Sequence, residues 1–292
     1  MTRDTAGSRR VQAAFAAART DGRIAFVPYV VAGYPDAAVS ERAALAVIDA
    51  GADVLELGLP YSDPLADGAT LQRASAAALA AGATLASSLA LVEHVCGARH
   101  ETPVLVMGYV NQFLGPPGAD NVARRLAGAG AAGAIVADLT PDEGAPLEEA
   151  FARHDLALVY LVAPTTPTER AATISERGGG FLYLVSLTGV TGARTSLPGQ
   201  LRKLVSRVKA VSPLPVAVGF GVSRPAHVRA VARAGADGVV VGSALVDALG
   251  RGGRDVRRLA RLTTSLRTAG EANANAIRES DLAVSSVRTT VG

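Results

Sequence analysis

Apolar, β-branched-rich runs recur along the chain, each followed by a segment of helical period. They are Ile24–Val31, Val54–Leu57, Val104–Met107, Ala134–Val136, Leu158–Val162, Phe181–Val185, Val216–Val218 and Gly238–Val241. Most intervals between them run to about 22–35 residues, enough for a strand and one crossover helix. The runs are nearly continuous in apolar residues, as strands of a parallel sheet buried on both faces must be. Eight such units with no break in composition predict one α/β domain over residues 1–292, closed into a single (β/α)8 barrel with an extra helix ahead of the first strand. A doubly wound open sheet would need a glycine-rich fingerprint after the first strand, and Val30-Val31-Ala32-Gly33-Tyr34-Pro35 is not one.

Helix ends are marked in the same pattern. Ala38–Ala50 stops at Gly51, and Pro198–Val211 is stopped by Ser212-Pro213. Ala50-Gly51-Ala52-Asp53 and Ala234-Gly235-Ala236-Asp237 each precede a strand, which predicts repeated turns with a left-handed glycine and a short acid opening the next unit. The second interval, Leu57 to Val104, is long and holds an extra loop, Tyr61–Leu71, before its helix. Lengthened loops at the carboxyl face are where barrels place function. Residues 271–292 are polar and weakly patterned, and a frayed tail is expected there.

Composition narrows the partners. The chain is 49% hydrophobic, 19% charged and only 4% aromatic, a globular composition. No stretch approaches the roughly 18–20 apolar residues of a membrane span, and Met1–Thr20 has no apolar signal core. With Cys96 as the single cysteine, the expectation is a cytoplasmic protein without disulfides. The 29 Lys and Arg against 26 Asp and Glu do not imply nucleic acid. The densest basic run carries Arg254, Arg257, Arg258 and Arg261 at helical spacing and reads as a solvated helix face.

Glu56 stands inside the apolar run Val54-Leu55-Glu56-Leu57. An unpaired carboxylate there loses solvation, which raises its pKa into the range useful for proton transfer. The other reading is a salt bridge at the barrel end. The loop Tyr61-Ser62-Asp63-Pro64-Leu65-Ala66-Asp67-Gly68 follows at once, so two carboxylates in different environments can divide an acid/base role from charge stabilisation. Taken singly, its Asp-Pro and Asp-Gly pairs are turn signals.

Gly219-Phe220-Gly221 after the seventh run and Gly242-Ser243 after the eighth lie where barrels hold phosphate on bare backbone N–H groups and a helix start. Gly189-Val190-Thr191-Gly192, with Tyr183 in the strand before it, completes a cradle and a closing loop, or is an ordinary surface loop. Tyr29, Met107, Tyr109 and Ile135, on or near strand ends, line an apolar pocket or belong to the plain core.

What is lacking discriminates among reactions. Lys203 and Lys209 are the only lysines, and both fall in a helical run before the seventh strand, outside the barrel, which excludes a Schiff-base aldolase. His94, His100, His154 and His227 lie in helical or loop segments with no ligand pair on a strand end, so no metal is expected. Acid/base chemistry without a cofactor, on a phosphorylated substrate, is what remains.

Leu55-Glu56-Leu57-Gly58-Leu59-Pro60-Tyr61-Ser62-Asp63-Pro64-Leu65-Ala66-Asp67-Gly68 resembles the signature of the tryptophan synthase alpha subunit family. Phe26-Val27-Pro28-Tyr29, Asp138-Leu139, Thr188-Gly189-Val190-Thr191-Gly192-Ala193, Gly219-Phe220-Gly221 and Gly242-Ser243-Ala244 follow in that family's order over roughly residues 10–270. The resemblance implies a (β/α)8 TIM barrel that splits indole-3-glycerol phosphate into indole and glyceraldehyde 3-phosphate by a retro-aldol step. It implies that Glu56 protonates indole C3, that Asp67 binds the indole N–H and stabilises the developing cation, and that Tyr183 positions the substrate. Gly192, Gly221, Gly242 and Ser243 would hold the phosphate, and Thr191 would belong to the closing loop.

The resemblance further implies a tryptophan synthase beta subunit as partner, in a heterotetramer of two alpha and two beta chains, with Asp63 and Asn111 at the contact. The chain departs from the family's common pattern at Ala69, Gly108, Gln112 and Thr140, where Pro, Thr, Pro and Pro are usual. Three functions are therefore carried forward. One is the alpha subunit in tryptophan biosynthesis. The others are a stand-alone indole-3-glycerol phosphate lyase releasing free indole and a non-catalytic phosphate-binding barrel that activates a partner.

Overall fold

The computed structural model describes residues 4–185, 197–219 and 221–271. Nine parallel strands form one sheet: β1 (Ala25–Val31), β2 (Leu55–Gly58), β3 (Val104–Gly108), β4 (Gly133–Val136), β5 (Ala157–Val159), β6 (Leu161–Val162), β7 (Leu182–Val185), β8 (Val216–Gly219) and β9 (Gly238–Val241). Their spatial order is β5-β4-β3-β2-β1-β9-β8-β7-β6. Every expected strand is present, but the fifth is broken at Tyr160. Its first half pairs with β4 and its second with β7, so the single segment 157–162 closes the barrel. The Tyr160 side chain is fully buried on the outer side, and its hydroxyl donates to Glu148 at 2.5 Å, which in turn holds Arg177.

The surrounding helices are α1 (Ala6–Thr20), α2 (Ala37–Asp49), α3 (Ala69–Ala80), α4 (Leu85–Ala98), α5 (Val110–Leu114), α6 (Ala119–Gly128), α7 (Ala145–Arg153), α8 (Thr168–Arg177), α9 (Leu197–Lys209), α10 (Pro225–Arg233), α11 (Ser243–Ala248) and α12 (Val256–Ala269). The long second interval holds two helices, α3 and α4, where one was expected. Residues 69–71 of the expected loop belong to α3. Capping explains the second helix: Thr84 and Ser87 close a reciprocal capping box that starts α4 anew after the turn at Gly82.

Two hydrophobic cores result from strand parity. On β1, Ala25, Val27, Tyr29 and Val31 face the barrel interior, while Phe26 and Val30 face the helices. Leu105, Met107, Ile135, Tyr183, Ala217 and Val240 fill the interior from the other strands. The extra N-terminal helix closes the amino end with Val11, Phe15 and Ala18. Phe15 packs on Phe181 at 5.2 Å between centroids, and burying such a ring contributes about 1.5–3 kcal/mol.

The two repeated turns share one device. Gly51 and Gly235 are left-handed, and the acids that follow cap the neighbouring strand: Asp53 Oδ2 accepts the Phe26 N–H and Asp237 Oδ2 the Val216 N–H, both at 2.8 Å. Arg23 neutralises Asp53 through two bonds of 2.6 and 2.9 Å, and Lys209 neutralises Asp237 at 2.7 Å. The basic run differs in part from expectation. Asp255 caps α12, so Arg254 lies ahead of the helix and pairs with Asp36, while Arg257, Arg258 and Arg261 are exposed on α12. Residues 272–292 of the expected frayed tail lie outside the described residues; Glu271 pairs with Arg267. Among the described residues no single helix is long and apolar enough to cross a membrane.

Candidate active site

Strand parity sends Glu56 inward. It is in register with Tyr29 on β1 and Leu105 on β3, both interior residues, whereas its neighbours Leu55 and Leu57 face the helices. Its side chain is 1% exposed, and neither carboxylate oxygen has a hydrogen-bond partner among the described residues. The salt-bridge reading of Glu56 is therefore not what the fold builds. Desolvation, with repulsion from Asp67, pushes its pKa from 4.5 to about 8, so the group stands protonated at neutral pH.

Asp67 ends the loop that runs from β2 to α3. Partial burial raises it from 3.8 to about 6, while a hydrogen bond from the Tyr109 hydroxyl pulls the other way. Like charges and unequal burial thus separate the two carboxyls, leaving a proton on the inner one and a charge on the outer one. Tyr29 and Tyr183 approach from β1 and β7. Burial, and the nearby carboxylates, raise both phenols well above 10, so both stay neutral.

The loop is tied down by the turn after β3. The Tyr109 hydroxyl accepts the Ala66 N–H at 3.2 Å, and its ring stacks on Tyr61 at 5.0 Å. Asn111 Nδ2 donates to the Tyr61 hydroxyl at 3.0 Å, and Gln112 Nε2 donates to the Pro60 carbonyl at 3.1 Å. Asp138 Oδ1 accepts the Val110 N–H at 2.7 Å and fixes the start of α5.

The pocket residues expected from sequence, Tyr29, Met107, Tyr109 and Ile135, are all buried at or near the carboxyl ends of β1, β3 and β4. Tyr29, Met107 and Ile135 share the interior cluster. Of the residues expected to hold phosphate, Gly219 ends β8, Gly221 is left-handed and exposed, and Gly242 with Ser243 opens α11 after β9. Gly219 also does something not foreseen: a Cβ there would stand 2.6 Å from Cε1 of Tyr183, so its bareness admits that ring. Thr70 donates to Asp247 at 3.3 Å, linking the acidic side of the mouth to α11. Thr191, Gly192 and Phe220 lie outside the described residues.

Asp63 and Asn111 are exposed, and the loop that carries Asp63 also presents Leu65, 83% exposed and the one large apolar side chain so displayed among the described residues. Lys203 and Lys209 lie on α9, outside the barrel. His94, His100 and His154 pair with Glu41, Glu101 and Asp120, and His227 Nδ1 lies 3.1 Å from the Gly221 carbonyl. A cavity of about 400 Å³ between α2 and α4, reached by Gly33, Ser88 and His94, contains none of these site residues.

A buried, unpartnered glutamate under an acidic loop at the carboxyl end of such a barrel agrees with a direct comparison, in which the Tryptophan synthase alpha chain profile matches residues 15–275. The chain belongs to the tryptophan synthase alpha chain family. It is 46% identical to the tryptophan synthase alpha chain of Chloroflexus aurantiacus over 242 residues, 83% of this chain and 90% of that one. It is 45% identical to the alpha chain of Methanothermobacter thermautotrophicus over 258 residues, 86% and 94% of the two chains. A solved structure of Mycobacterium tuberculosis tryptophan synthase superposes with a TM-score of 0.82 at 42% identity, covering 90% of this chain and 98% of that one.

Within this alpha chain fold, three residues to which the sequence assigned no role, Gly58, Gly108 and Gln112, shape the site. A Cβ on Gly58 would stand 2.6 Å from Cε2 of Tyr29. A Cβ on Gly108 would stand 2.8 Å from Oε1 of Gln112 and 2.9 Å from the Phe113 ring. The bareness of Gly108 thus leaves room for Gln112 and Phe113. The signal available was a glycine at a strand end, which marks close approach by another group.

Proposed function

We propose that this chain is the alpha subunit of tryptophan synthase and cleaves indole-3-glycerol phosphate to indole and glyceraldehyde 3-phosphate. The observation that carries the chemistry is Glu56, a buried carboxyl without a partner whose pKa is raised to about 8, below a second carboxyl near 6. Glu56 delivers its proton to C3 of the indole ring. Asp67 accepts the indole N–H and stabilises the cation that forms. The bond from C3 to the glycerol carbon then breaks, its electron pair restores the aromatic ring, and the neighbouring hydroxyl returns its proton to the Glu56 carboxylate. The hydroxyl carbon leaves as the aldehyde. The ring itself serves as electron sink, so no lysine or metal is required of the protein.

Tyr183 and Tyr29 position the substrate, and Met107, Tyr109 and Ile135 wall the indole pocket. Gly219, Gly221, Gly242 and Ser243 cradle the phosphate, together with Gly192 and Phe220, while Thr191 belongs to a loop that closes over it. The partner is a tryptophan synthase beta subunit. Exposed Asp63, Leu65 and Asn111 on one side of the mouth support docking there, and the assembly is a heterotetramer of two alpha and two beta chains. The biosynthetic role fits a cytoplasmic enzyme.

The test is indole release from indole-3-glycerol phosphate by the purified chain, alone and with a beta subunit, with Glu56→Gln as control. Large activation by beta together with loss of activity in Glu56→Gln supports the reading. Fast turnover independent of beta would point to a stand-alone lyase, and full activity in Glu56→Gln would remove Glu56 from the mechanism.

A further inference from the structure

We propose that Gln112 is a positioning residue that sets Asp67 through Tyr109, and that Gly108 is bare because Gln112 occupies the space a side chain would need. The inference deepens the function proposed above and rests on it for the catalytic role of Asp67.

The loop from β2 to α3 is held at its two ends by two residues of the turn after β3, Gln112 and Tyr109. At its start, the Pro60 carbonyl accepts Gln112 Nε2 at 3.1 Å. At its end, the Tyr109 hydroxyl accepts the Ala66 N–H at 3.2 Å, which pins the backbone directly ahead of Asp67. The two ends meet in one residue pair, because Gln112 Oε1 accepts the Tyr109 N–H at 3.0 Å. That bond fixes the backbone from which the Tyr109 ring springs. The backbone adds a second bond in the reverse sense, Gln112 N–H to the Tyr109 carbonyl at 2.8 Å. Gln112 uses both ends of its amide, one on each strand-end loop, which a residue merely filling space would not do. The room for it comes from Gly108, whose missing Cβ would press on Oε1 at 2.8 Å and on Phe113 at 2.9 Å.

The consequence is chemical. Asp67 is faced by Glu56 on β2, Tyr29 on β1, Tyr183 on β7 and Tyr109, and of these Tyr109, which holds the adjoining Ala66 N–H, alone favours its charged form. Loosening Tyr109 therefore leaves Asp67 with the effect of burial, and its proton becomes harder to remove.

Two variants and two readouts separate this from a structural role. Gln112→Met keeps the volume without the amide, and Gly108→Ala keeps the amide but displaces its oxygen. The first readout is the titration of the Asp67 carboxyl by carbon NMR, which needs no activity. The second is the split of indole release into kcat and KM. The expected result is an upward shift of the Asp67 titration in both variants, with kcat lowered about tenfold and KM changed about twofold or less. An unshifted Asp67 titration in folded Gln112→Met overturns the proposal, whatever happens to melting temperature. A wild-type chain without lyase activity would overturn the function proposed above, while a shifted titration would still establish the Gln112–Tyr109–Asp67 link.

Discussion

Gly58 leaves the space in which the Tyr29 ring lies, one strand away. A Cβ there would overlap the tyrosine hydroxyl and stand 2.6 Å from ring atom Cε2. The two residues sit on hydrogen-bonded strands in a fixed register, Tyr29 with Glu56 and Val31 with Gly58, so neither can slide away.

Gly58→Ala is therefore expected to destabilise by about 1–3 kcal/mol through overpacking and to lower kcat/KM by more than about tenfold, because Tyr29 swings against Glu56. Denaturant unfolding and an indole-release assay measure the two effects. Tyr29→Leu introduced into Gly58→Ala should recover stability and leave activity low, giving a coupling energy that independent sites would not show.

The pH profile follows from the two carboxyls. Glu56 must carry its proton, which holds below about 8, and Asp67 must have lost its own, which holds above about 6. A bell-shaped kcat/KM with its limbs near those values is expected, the limbs belonging to the coupled pair. Tyr109→Phe removes a bond to the charged form of Asp67, so the acidic limb should move up and narrow the bell. A downward move would contradict the assignment.

Glu56 also makes stability depend on pH. Its folded pKa of about 8 exceeds the ordinary 4.5, so between these values the folded chain holds a proton that the unfolded chain has released. Stability is then fully present below about 4.5 and declines as pH rises toward 8. Glu56→Gln lacks this loss. Its melting temperature should match wild type near pH 4.5 and exceed it increasingly up to pH 8, as scanning calorimetry across that range would record.

At the opposite end of the barrel, Arg23 and Asp53 are a buried pair with side chains 8% and 10% exposed. Asp53→Ala leaves the Arg23 guanidinium with Asp21 alone and strands the Phe26 N–H, at a cost of about 1–3 kcal/mol. Activity per folded molecule should be unchanged, since the pair lies at the amino ends of β1 and β2. Equal losses of stability and specific activity would argue that the barrel transmits strain along β1.

Much of this architecture is written in local pattern. Eight apolar runs, left-handed Gly51 and Gly235 with their following acids, and a glutamate in an apolar strand are visible because strand period, glycine turns and desolvation act over a few residues. The family signature around Glu56 and Asp67 is equally local. The second helix of the long interval was missed because Thr84 and Ser87 form a capping box without the usual acidic or amide partner.

Other properties depend on which segments meet. A strand buried on both faces shows no alternation, so the inward turn of Glu56 came only from its register with Tyr29 and Leu105. That Glu56 lacks a hydrogen-bond partner among the described residues, that Gly58 and Gly219 each admit a tyrosine, and that Gln112 reaches Pro60 all depend on residues distant in the chain. The sequence by itself determined the barrel, the pair of carboxyls and the family. Only the tertiary structure decided how that pair is desolvated, spaced and held, because burial and hydrogen-bond partners are set by neighbours that no local pattern can name.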